Sequence, residues 1–200
     1  MKNILVTQGL YLDDRKNLYS KLDYTWYQYA KKLRFNLIPI SFEAKLNTLE
    51  TRKIDGIIFS GGNNLNTLKK KKENLLRDIF EKKLFSYFSK KKIPILGVCR
   101  GMQLISQIHK IKLNKSKNHV TKGHDIILMN DKRINVNSYH NYIIKNVPNN
   151  FNLVGKHMKD NSIEIISCKK KKILCLMFHP ERVSKSQKKV DKIFKDFFKI

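Results

Sequence analysis

Acidic residues, cysteines and long apolar runs are all scarce in this chain. Its 200 residues include 16 Asp and Glu against 42 Lys and Arg, which gives a formal net charge of +26 at pH 7. The three cysteines are an odd number without a close pairing pattern, which indicates a reducing compartment rather than a disulfide framework. No stretch approaches the ~20 apolar residues of a membrane span, and the apolar run at the N-terminus is too short for a secretory signal. These absences predict a cytoplasmic protein that has no membrane partner.

The excess of positive charge has two interpretations. Most of the basic residues are lysine, whereas base-edge readout of DNA depends on arginine forks, so the composition disfavours a specific nucleic-acid partner. A lysine-rich surface is compatible with simple compositional drift, since net charge bears on solubility and non-specific binding rather than on fold. The alternative is a preference for an anionic substrate, and composition leaves both open.

Short apolar segments alternate with helical periodicity in the first half of the chain. Strand-like segments cover residues 3–7, 36–40, 55–60 and 93–98, and helical spacing of apolar residues covers 17–34 and 73–90. This alternation predicts a parallel sheet covered by helices on both faces. Strand-like runs between turn residues follow from 111 to 178, and a last helix is expected over 185–199. The predicted fold is a three-layer α/β structure, a doubly wound and mostly parallel sheet with added β-hairpins, in one domain over residues 1–200.

A single cysteine stands where one of these strands ends, in the segment IPILGVCRGMQLIS at residues 93–106. Ligands of open parallel sheets bind beyond the carboxyl ends of the strands, so Cys99 is predicted to lie at a binding edge. Gly97 and Gly101 stand two residues before and after it, where small residues relieve the crowding of a sharp strand-to-helix turn. A helix N-terminus also favours the thiolate, and the backbone N–H of Arg100 would be free to face an oxyanion. The alternative is a small core residue, which is our interpretation of the other two cysteines, but the glycine pair favours a nucleophile.

A thiolate nucleophile needs a base and a group that orients the base. His179 directly follows an apolar strand in ILCLMFHPER, residues 173–182, and would emerge at the same sheet edge as Cys99. Glu181 lies two residues further on and can point to the same side, where it would hold one imidazole tautomer. An ordinary polar turn is the alternative for His179 alone, and the pairing with Cys99 disfavours it.

The remaining histidines give little sign of a metal site. His119 and His124 form one His-x4-His pair, and the spacing supplies no further ligands. A structural role in the added hairpins is the preferred interpretation of this pair, as it is for His109 and His157. No metal and no cofactor is therefore expected.

Taken together, the motifs SGGNNL, GVCRGMQ, NSYHN and FHPE, in this order, resemble the class I glutamine amidotransferase superfamily. The resemblance covers nearly the whole chain and is closest to the γ-glutamyl hydrolase-like branch, whose members cleave γ-glutamyl amides as stand-alone enzymes. It implies a catalytic triad of Cys99, His179 and Glu181. It also implies an oxyanion hole formed by the backbone N–H groups of Gly62 and Arg100.

The resemblance further implies a pocket for the glutamyl group. The implied substrate-binding residues are Gly61, Asn64, Gln103, Ser138, Tyr139 and His140. Two positions depart from the family pattern. Asn64 stands where aspartate is usual, and Tyr142 stands where the pocket segment often has glutamine. Both departures concern the leaving-group side of the substrate.

The activity that follows from the resemblance is hydrolysis of a small γ-glutamyl conjugate through a thioester, with release of glutamate. Single-domain relatives of this size resemble hydrolases of capsule and surface-polysaccharide pathways. The specific substrate that we expect is therefore γ-glutamyl-CDP-amidate, which would give cytidine diphosphoramidate. One alternative is a glutaminase subunit that passes ammonia to a partner synthase. The other is a charge-driven nucleic-acid binder, for which the sequence offers no stacking platform or recognition helix.

Overall fold

A computed structural model describes residues 1–46 and 53–200 of the chain. The helices in this part are α1 (Thr25–Leu33), α2 (Lys72–Lys90), α3 (Arg100–Ile108) and α4 (Gln187–Phe198). The strands of the first half are β1 (Asn3–Val6), β2 (Gly9–Leu12), β3 (Leu18–Lys21), β4 (Asn36–Pro39), β5 (Gly56–Phe59) and β6 (Ile95–Val98). The strands of the second half are β7 (Asn114–Lys115), β8 (Val120–Leu128), β9 (Arg133–Tyr139), β10 (Tyr142–Ile143), β11 (Asn152–His157), β12 (Ile163–Cys168) and β13 (Ile173–Leu176).

The central sheet has nine described strands in the order β4-β1-β5-β6-β13-β12-β11-β8-β9. The pairings from β4 through β13 are parallel. The pairings from β13 through β9 are antiparallel, and they add the hairpins β8–β9 and β11–β12. The predicted α/β fold, a doubly wound sheet extended by hairpins, is confirmed.

Helices cover both faces of the parallel half, because successive residues of a buried strand point to opposite sides. In β1, Ile4 and Val6 pack in the core layer that contains α1 and α4, while Leu5 packs in the layer that contains α2 and α3. Both layers are apolar, with Trp26 and Phe194 fully enclosed in the first of them. No helix among the described residues combines the length and the apolar character needed to cross a membrane.

The helix expected over residues 17–34 is shorter than predicted. Residues 18–21 form β3, which pairs with β2 as a separate antiparallel hairpin, and the helix begins only at Thr25. All four residues of β3 are exposed, so the apolar spacing of Leu18 does not reflect burial. The hairpin borders a cavity at the carboxyl ends of the parallel strands.

Helix α2 has the predicted extent but only part of the predicted buried face. Leu84 and Phe88 are buried as expected, whereas Leu76 and Ile79 are exposed. The N-terminal half of α2 instead buries polar side chains, which are Glu73, Asn74, Arg77, Asp78 and Glu81. Three of these side chains support the loops at the candidate site.

Candidate active site

Cys99 occupies a strained turn between β6 and α3. Its φ of 50° and ψ of −101° lie outside the regions that non-glycine residues normally adopt. Gly101 permits this turn, because a Cβ at that position would lie 2.2 Å from the backbone oxygen of Phe59. A Cβ on Gly97 would lie 2.8 Å from a methyl carbon of Ile105. The glycine pair therefore allows α3 to pack closely against the strand ends while it holds the thiol at the sheet edge.

Strand pairing brings the predicted base beside this cysteine. β13 runs parallel to β6, with Leu176 opposite Val98, and the backbone N–H of Cys99 donates to the Leu176 oxygen at 2.8 Å. The chain leaves β13 and reaches His179 three residues later, where the imidazole lies close enough to Cys99 for the two groups to shift each other's pKa. The second ring nitrogen, Nδ1, lies 2.6 Å from Oε1 of Glu181. The three residues predicted from sequence thus form one connected Cys–His–Glu array.

The electrostatics of this array favour a thiolate and an imidazolium. Burial raises the pKa of Cys99, but the polar contact with His179 and the positive charge of that ring outweigh burial and bring the pKa below its ordinary value of 9.0. Burial lowers the pKa of His179, but the charge of Glu181 and the contact with Cys99 raise it to about 10. Each group of the pair therefore favours the charged form of the other, a thiolate beside a protonated imidazole.

Asn137 fixes the turn that carries the histidine. Its side chain accepts a hydrogen bond from the backbone N–H of His179 at 2.9 Å. The amide nitrogen of the same side chain donates to the backbone oxygens of His179 at 2.7 Å and of Arg182 at 2.9 Å. Asn137 is buried in β9, so these bonds tie the antiparallel half of the sheet to the candidate base. The residue stands in one of the recognised sequence motifs, but nothing in the sequence indicates its role.

The loop after β5 contains the double glycine and packs against the array. A Cβ on Gly61 would lie 2.5 Å from Cε1 of His179, so only glycine leaves room for the ring. Gly62 has a φ of 114°, a conformation that favours glycine. Gly62 lines the same cavity as His179.

A buried arginine holds this loop in place. Nη2 of Arg77 donates to the backbone oxygens of Ser60 at 2.9 Å and of Gly61 at 3.0 Å. Its Nη1 donates to the side-chain oxygen of Asn63 at 2.7 Å, and its Nε donates to Glu81 at 2.9 Å. Arg77 is fully buried, so the position of the loop depends on one guanidinium.

The same network reaches the residue after the cysteine. Glu81, which also accepts from the Thr7 hydroxyl at 2.6 Å, binds the guanidinium of Arg100. Arg100 binds Asp78 as well, and its side chain is buried. The two backbones expected to bind an oxyanion are thereby connected through ion pairs in α2. Sequence analysis missed Arg77, Asp78 and Glu81, although their spacing of three and four residues could have indicated a polar helix face.

Some of the remaining predicted pocket residues are exposed and the others are buried. Tyr139 is exposed, and its ring packs edge-on against His179 with 5.9 Å between the ring centroids. Gln103 is buried in α3 beside Met177, and Asn64 is exposed after the glycine loop. Ser138 is fully buried, and its hydroxyl donates to the backbone oxygen of His119. The sixth, His140, is buried and belongs to a different cluster of side chains in the antiparallel half of the sheet.

A cavity of about 410 Å³ opens beside the candidate base. Its lining includes His179, Glu181 and the glycine loop on one side, and Lys21 and Arg182 on another. The β2–β3 hairpin contributes Gly9, Tyr11 and Lys21. Apart from the candidate triad, this cavity therefore carries two cations, Lys21 and Arg182, and one carboxylate, Asp23.

We expect the buried ion pairs of Arg100 to matter far more than an exposed pair of the same type. Replacing Arg100 with Met leaves Glu81 and Asp78 short of positive charge in the interior, which costs about 3–5 kcal/mol. The matched control is Arg133→Met, because Arg133 is 63% exposed and pairs with Asp125 at the surface. That change should cost less than about 1 kcal/mol. Urea unfolding of both variants measures the difference, and equal losses would contradict it.

The pH dependence of alkylation tests the ionisation of Cys99. Iodoacetamide attacks the thiolate, so labelling of Cys99 should rise with pH around a midpoint below 9.0. In His179→Ala the midpoint should move upward, because the group that lowers the pKa is gone while burial remains. Mass spectrometry of the labelled peptide separates Cys99 from the other cysteines, and Cys99→Ala gives the blank. If the midpoint of alkylation is the same in His179→Ala as in the parent chain, the ion pair of Cys99 with His179 is contradicted.

Comparisons with known proteins identify the family of the chain. The family model for glutamine amidotransferase class-I matches residues 16–200. A γ-glutamyl-CDP-amidate hydrolase of Campylobacter jejuni is 34% identical over 154 residues, which cover 74% of this chain and 72% of that protein. A glutamine-hydrolysing GMP synthase of Spiroplasma kunkelii is 30% identical over 70% of this chain, but the match spans only 27% of the synthase.

Solved structures show the same fold. A Thermoplasma acidophilum protein assigned as a GMP synthase subunit superposes with a TM-score of 0.74 and 21% identity, covering 100% of this chain and 93% of that chain. A glutamine amidotransferase from Thermotoga maritima superposes with a TM-score of 0.67 and 17% identity, covering 99% of this chain and 84% of that chain. With the matched family model and the relative from Campylobacter jejuni, these findings show that the chain belongs to the class I glutamine amidotransferases.

Proposed function

We propose that this chain hydrolyses the γ-glutamyl amide bond of a small γ-glutamyl conjugate and releases glutamate. The observation that carries the proposal is that Cys99 lies beside His179, and His179 is hydrogen-bonded to Glu181, next to a cavity at the sheet edge. The similarity to a hydrolase of γ-glutamyl-CDP-amidate over 72% of that protein supports the same class of reaction.

The reaction begins with attack of the Cys99 thiolate on the γ-carbonyl carbon. The negative charge that develops on the carbonyl oxygen is met by the backbone N–H groups of Gly62 and Arg100. The loss of one such donor typically costs about 3 kcal/mol of barrier. The ion pairs of Arg77 and Arg100 position these two backbones before the substrate arrives. This preorganisation is where the buried network contributes to rate.

His179 then moves the protons. The imidazolium donates a proton to the departing nitrogen, the amide bond breaks, and a thioester remains on Cys99. The neutral imidazole next removes a proton from water, which attacks the thioester and releases glutamate and the free thiolate. Glu181 keeps Nδ1 protonated and so presents Nε2 to the reacting atoms.

The glutamyl group would be held on the other side of the cysteine. Gln103 and Tyr139 are proposed to contact its amino and carboxylate groups, and the fully buried Ser138 would support Tyr139 from the same strand. Asn64 and Gly61 would contribute from the oxyanion loop. His140 is too enclosed to add a direct contact and would act through the backbone of the same segment.

The leaving group is proposed to be an anionic, nucleotide-linked nitrogen, as in γ-glutamyl-CDP-amidate. Lys21 and Arg182 line the cavity beside His179, and a diphosphate would pair with them. Part of the positive charge of Arg182 is taken by Asp23 at 2.9 Å. The lysine run 69–72 is a weaker candidate, since Lys69 and Lys70 are exposed and Lys71 pairs with Glu73.

A glutaminase subunit that serves a partner synthase is the second candidate. The exposed apolar side chains of Leu75, Leu76 and Ile79 on α2 favour it, because they form a surface on the helix that supports the oxyanion loop. Such a subunit would turn over glutamine slowly on its own.

A substrate panel decides between these two functions. The purified chain is incubated with γ-glutamyl-CDP-amidate, γ-glutamyl-p-nitroanilide and glutamine, and released glutamate is measured. We expect turnover of a conjugate without any partner, and a loss of at least about 10³-fold in Cys99→Ala. The matched control is Cys168→Ala, since Cys168 is buried at the opposite end of the sheet, where it pairs with the first residue of β13. Weak hydrolysis of glutamine alone would favour the glutaminase subunit, and activity retained in Cys99→Ala would overturn both.

Charge-removing variants locate the leaving-group pocket. Lys21→Ala should raise KM for γ-glutamyl-CDP-amidate by about 10-fold, because one phosphate contact near the cavity is worth about 1–2 kcal/mol. It should change the kinetics of the uncharged anilide little. The double variant Lys69→Ala/Lys70→Ala is the control with two charges removed outside the cavity. A larger effect in the control would assign the anionic group to the lysine run instead.

A further inference from the structure

A second cluster of ionisable side chains lies in the antiparallel half of the sheet. We call it the histidine–glutamate cluster, and its members are His119, His124, His140 and Glu164. His119 precedes β8, His124 lies within β8, His140 follows β9, and Glu164 lies in β12. One nitrogen or oxygen atom from each of the four lies within 4.8 Å of the others. Three separate elements of the fold therefore converge on one point.

Glu164 is enclosed without a hydrogen-bond partner. Its side chain is 0% exposed, and neither carboxylate oxygen has a hydrogen bond among the described residues. Nδ1 of His119, Nε2 of His140 and both ring nitrogens of His124 are also buried without a partner in this part of the chain. An isolated buried carboxylate costs several kcal/mol unless a cation compensates it. The cluster therefore requires positive charge at its centre.

The outer nitrogens of two histidines show where their protons lie. Nε2 of His119 lies 2.9 Å from Asp160, and Nδ1 of His140 lies 3.1 Å from the backbone oxygen of Tyr142. Both of these oxygens only accept, so the facing nitrogens carry the protons. In neutral rings the inner nitrogens then present lone pairs to Glu164, at 3.6 Å for His119 and 3.5 Å for His140. Lone pairs that face a carboxylate repel it unless a cation lies between them.

The spacing of the inner atoms matches metal ligands better than hydrogen bonds. Nε2 of His124 lies 3.4 Å from the second oxygen of Glu164, close to the values for the other two histidines. Charge-assisted hydrogen bonds between nitrogen and oxygen are shorter, at about 2.7–2.9 Å. A tetrahedral zinc ion at ~2.0–2.1 Å from its ligands separates them by about 3.3 Å along each edge. The three distances to Glu164 are therefore close to tetrahedral edges, and all four ligand atoms lie within 4.8 Å of one another.

We propose that His119, His124, His140 and Glu164 bind one zinc ion. Three imidazoles and a carboxylate form a nitrogen and oxygen set that suits Zn²⁺ and disfavours Mg²⁺ or Ca²⁺, which prefer oxygen ligands alone. The hydrogen bonds to Asp160 and to the Tyr142 backbone hold two of the rings in the orientation that binding needs.

Asp160 is itself held in place, and the ion has an entry path. The carboxylate accepts hydrogen bonds from the Ser162 hydroxyl at 2.8 Å and contacts His157 at 2.7 Å. A cavity of about 580 Å³ is lined by His124, His157 and Asp160 together with surface residues. A hydrated ion could reach the cluster from this side without unfolding of the sheet.

The proposed ion would support the segment that borders the active site. His140 directly follows Tyr139, whose ring packs against His179. The backbone oxygen of Glu164 accepts from the N–H of Met177 at 2.8 Å, two residues before that histidine. Bound zinc would therefore anchor both β9 and β12 close to the candidate base. The expected role is structural, and the chemistry of the thioester needs no step at the ion.

Metal binding is measured in Cys99→Ala, so that the thiol cannot capture the ion. Zinc content of the chain is determined after purification, and Co²⁺ is titrated into chelator-treated protein as a spectroscopic probe. We expect one ion per chain, visible absorption typical of tetrahedral Co²⁺, and a higher Tm with Zn²⁺ than with chelator. Glu164→Gln and His124→Gln should each weaken Co²⁺ binding by at least about 10-fold. His109→Gln is the matched control, because His109 lies at the end of α3 and bonds to the Ile105 backbone.

These measurements of metal binding do not depend on catalytic activity. Stoichiometric binding that is weakened in the two cluster variants and kept in His109→Gln supports the site. If Glu164→Gln fails to fold, His124→Gln and the Zn²⁺-dependent Tm of the parent chain carry the same test. The proposal would be overturned if the purified chain contained no zinc and its Tm were the same with Zn²⁺ and with chelator. That result would show that protons alone supply the positive charge of the histidines. Equal binding in all variants would place the ion elsewhere and would also overturn it.

Discussion

The parallel pairing of β6 with β13 is the contact on which the candidate site depends. It sets Leu176 opposite Val98, so the chain segments that leave the two strands emerge side by side. One segment turns at once into α3 and presents Cys99, and the other continues to His179. A slip of this register would separate sulfur from imidazole by several ångströms, because each residue of a strand adds about 3.3 Å. The proximity of Cys99 and His179 thus depends on the order and register of β6 and β13, and not on the sequence around either residue alone.

Buried charge gives this edge its rigidity. Arg77 and Arg100 share Glu81, and together they join the glycine loop to the first turn of α3. Ion pairs of this kind add little net stability over an apolar core, but their directional bonds fix backbone positions. An oxyanion hole needs such fixed donors, since its effect depends on dipoles that are already oriented. The need for fixed donors accounts for the unusual orientation of α2, which exposes Leu75, Leu76 and Ile79 and buries its charged side chains.

Local sequence motifs were enough to predict the three residues of the candidate triad. The positions of the other site residues depend on contacts between distant parts of the chain. Cys99, His179 and Glu181 could be found because the first two follow apolar strands and the last two lie two residues apart. The prediction of the buried face of α2 was wrong in part. Leu76 and Ile79 fit the spacing of a buried helix face, but the helix instead buries the side chains that form ion pairs with the rest of the fold. Residues 18–21 were wrongly predicted as helix since the spacing of Leu18 and Leu22 fits a helix even though β3 is exposed. The histidine–glutamate cluster escaped detection because Glu164 joins His119 only through the order of strands in the sheet.

The backbone at Cys99 has one further consequence. A side chain at φ 50° and ψ −101° costs about 1–3 kcal/mol, a strain that glycine at the same position would largely relieve. The residue that suits the fold best at position 99 is therefore one without a thiol. Keeping a thiol at this position therefore costs the fold stability, and the proposed role of Cys99 as nucleophile would account for that cost.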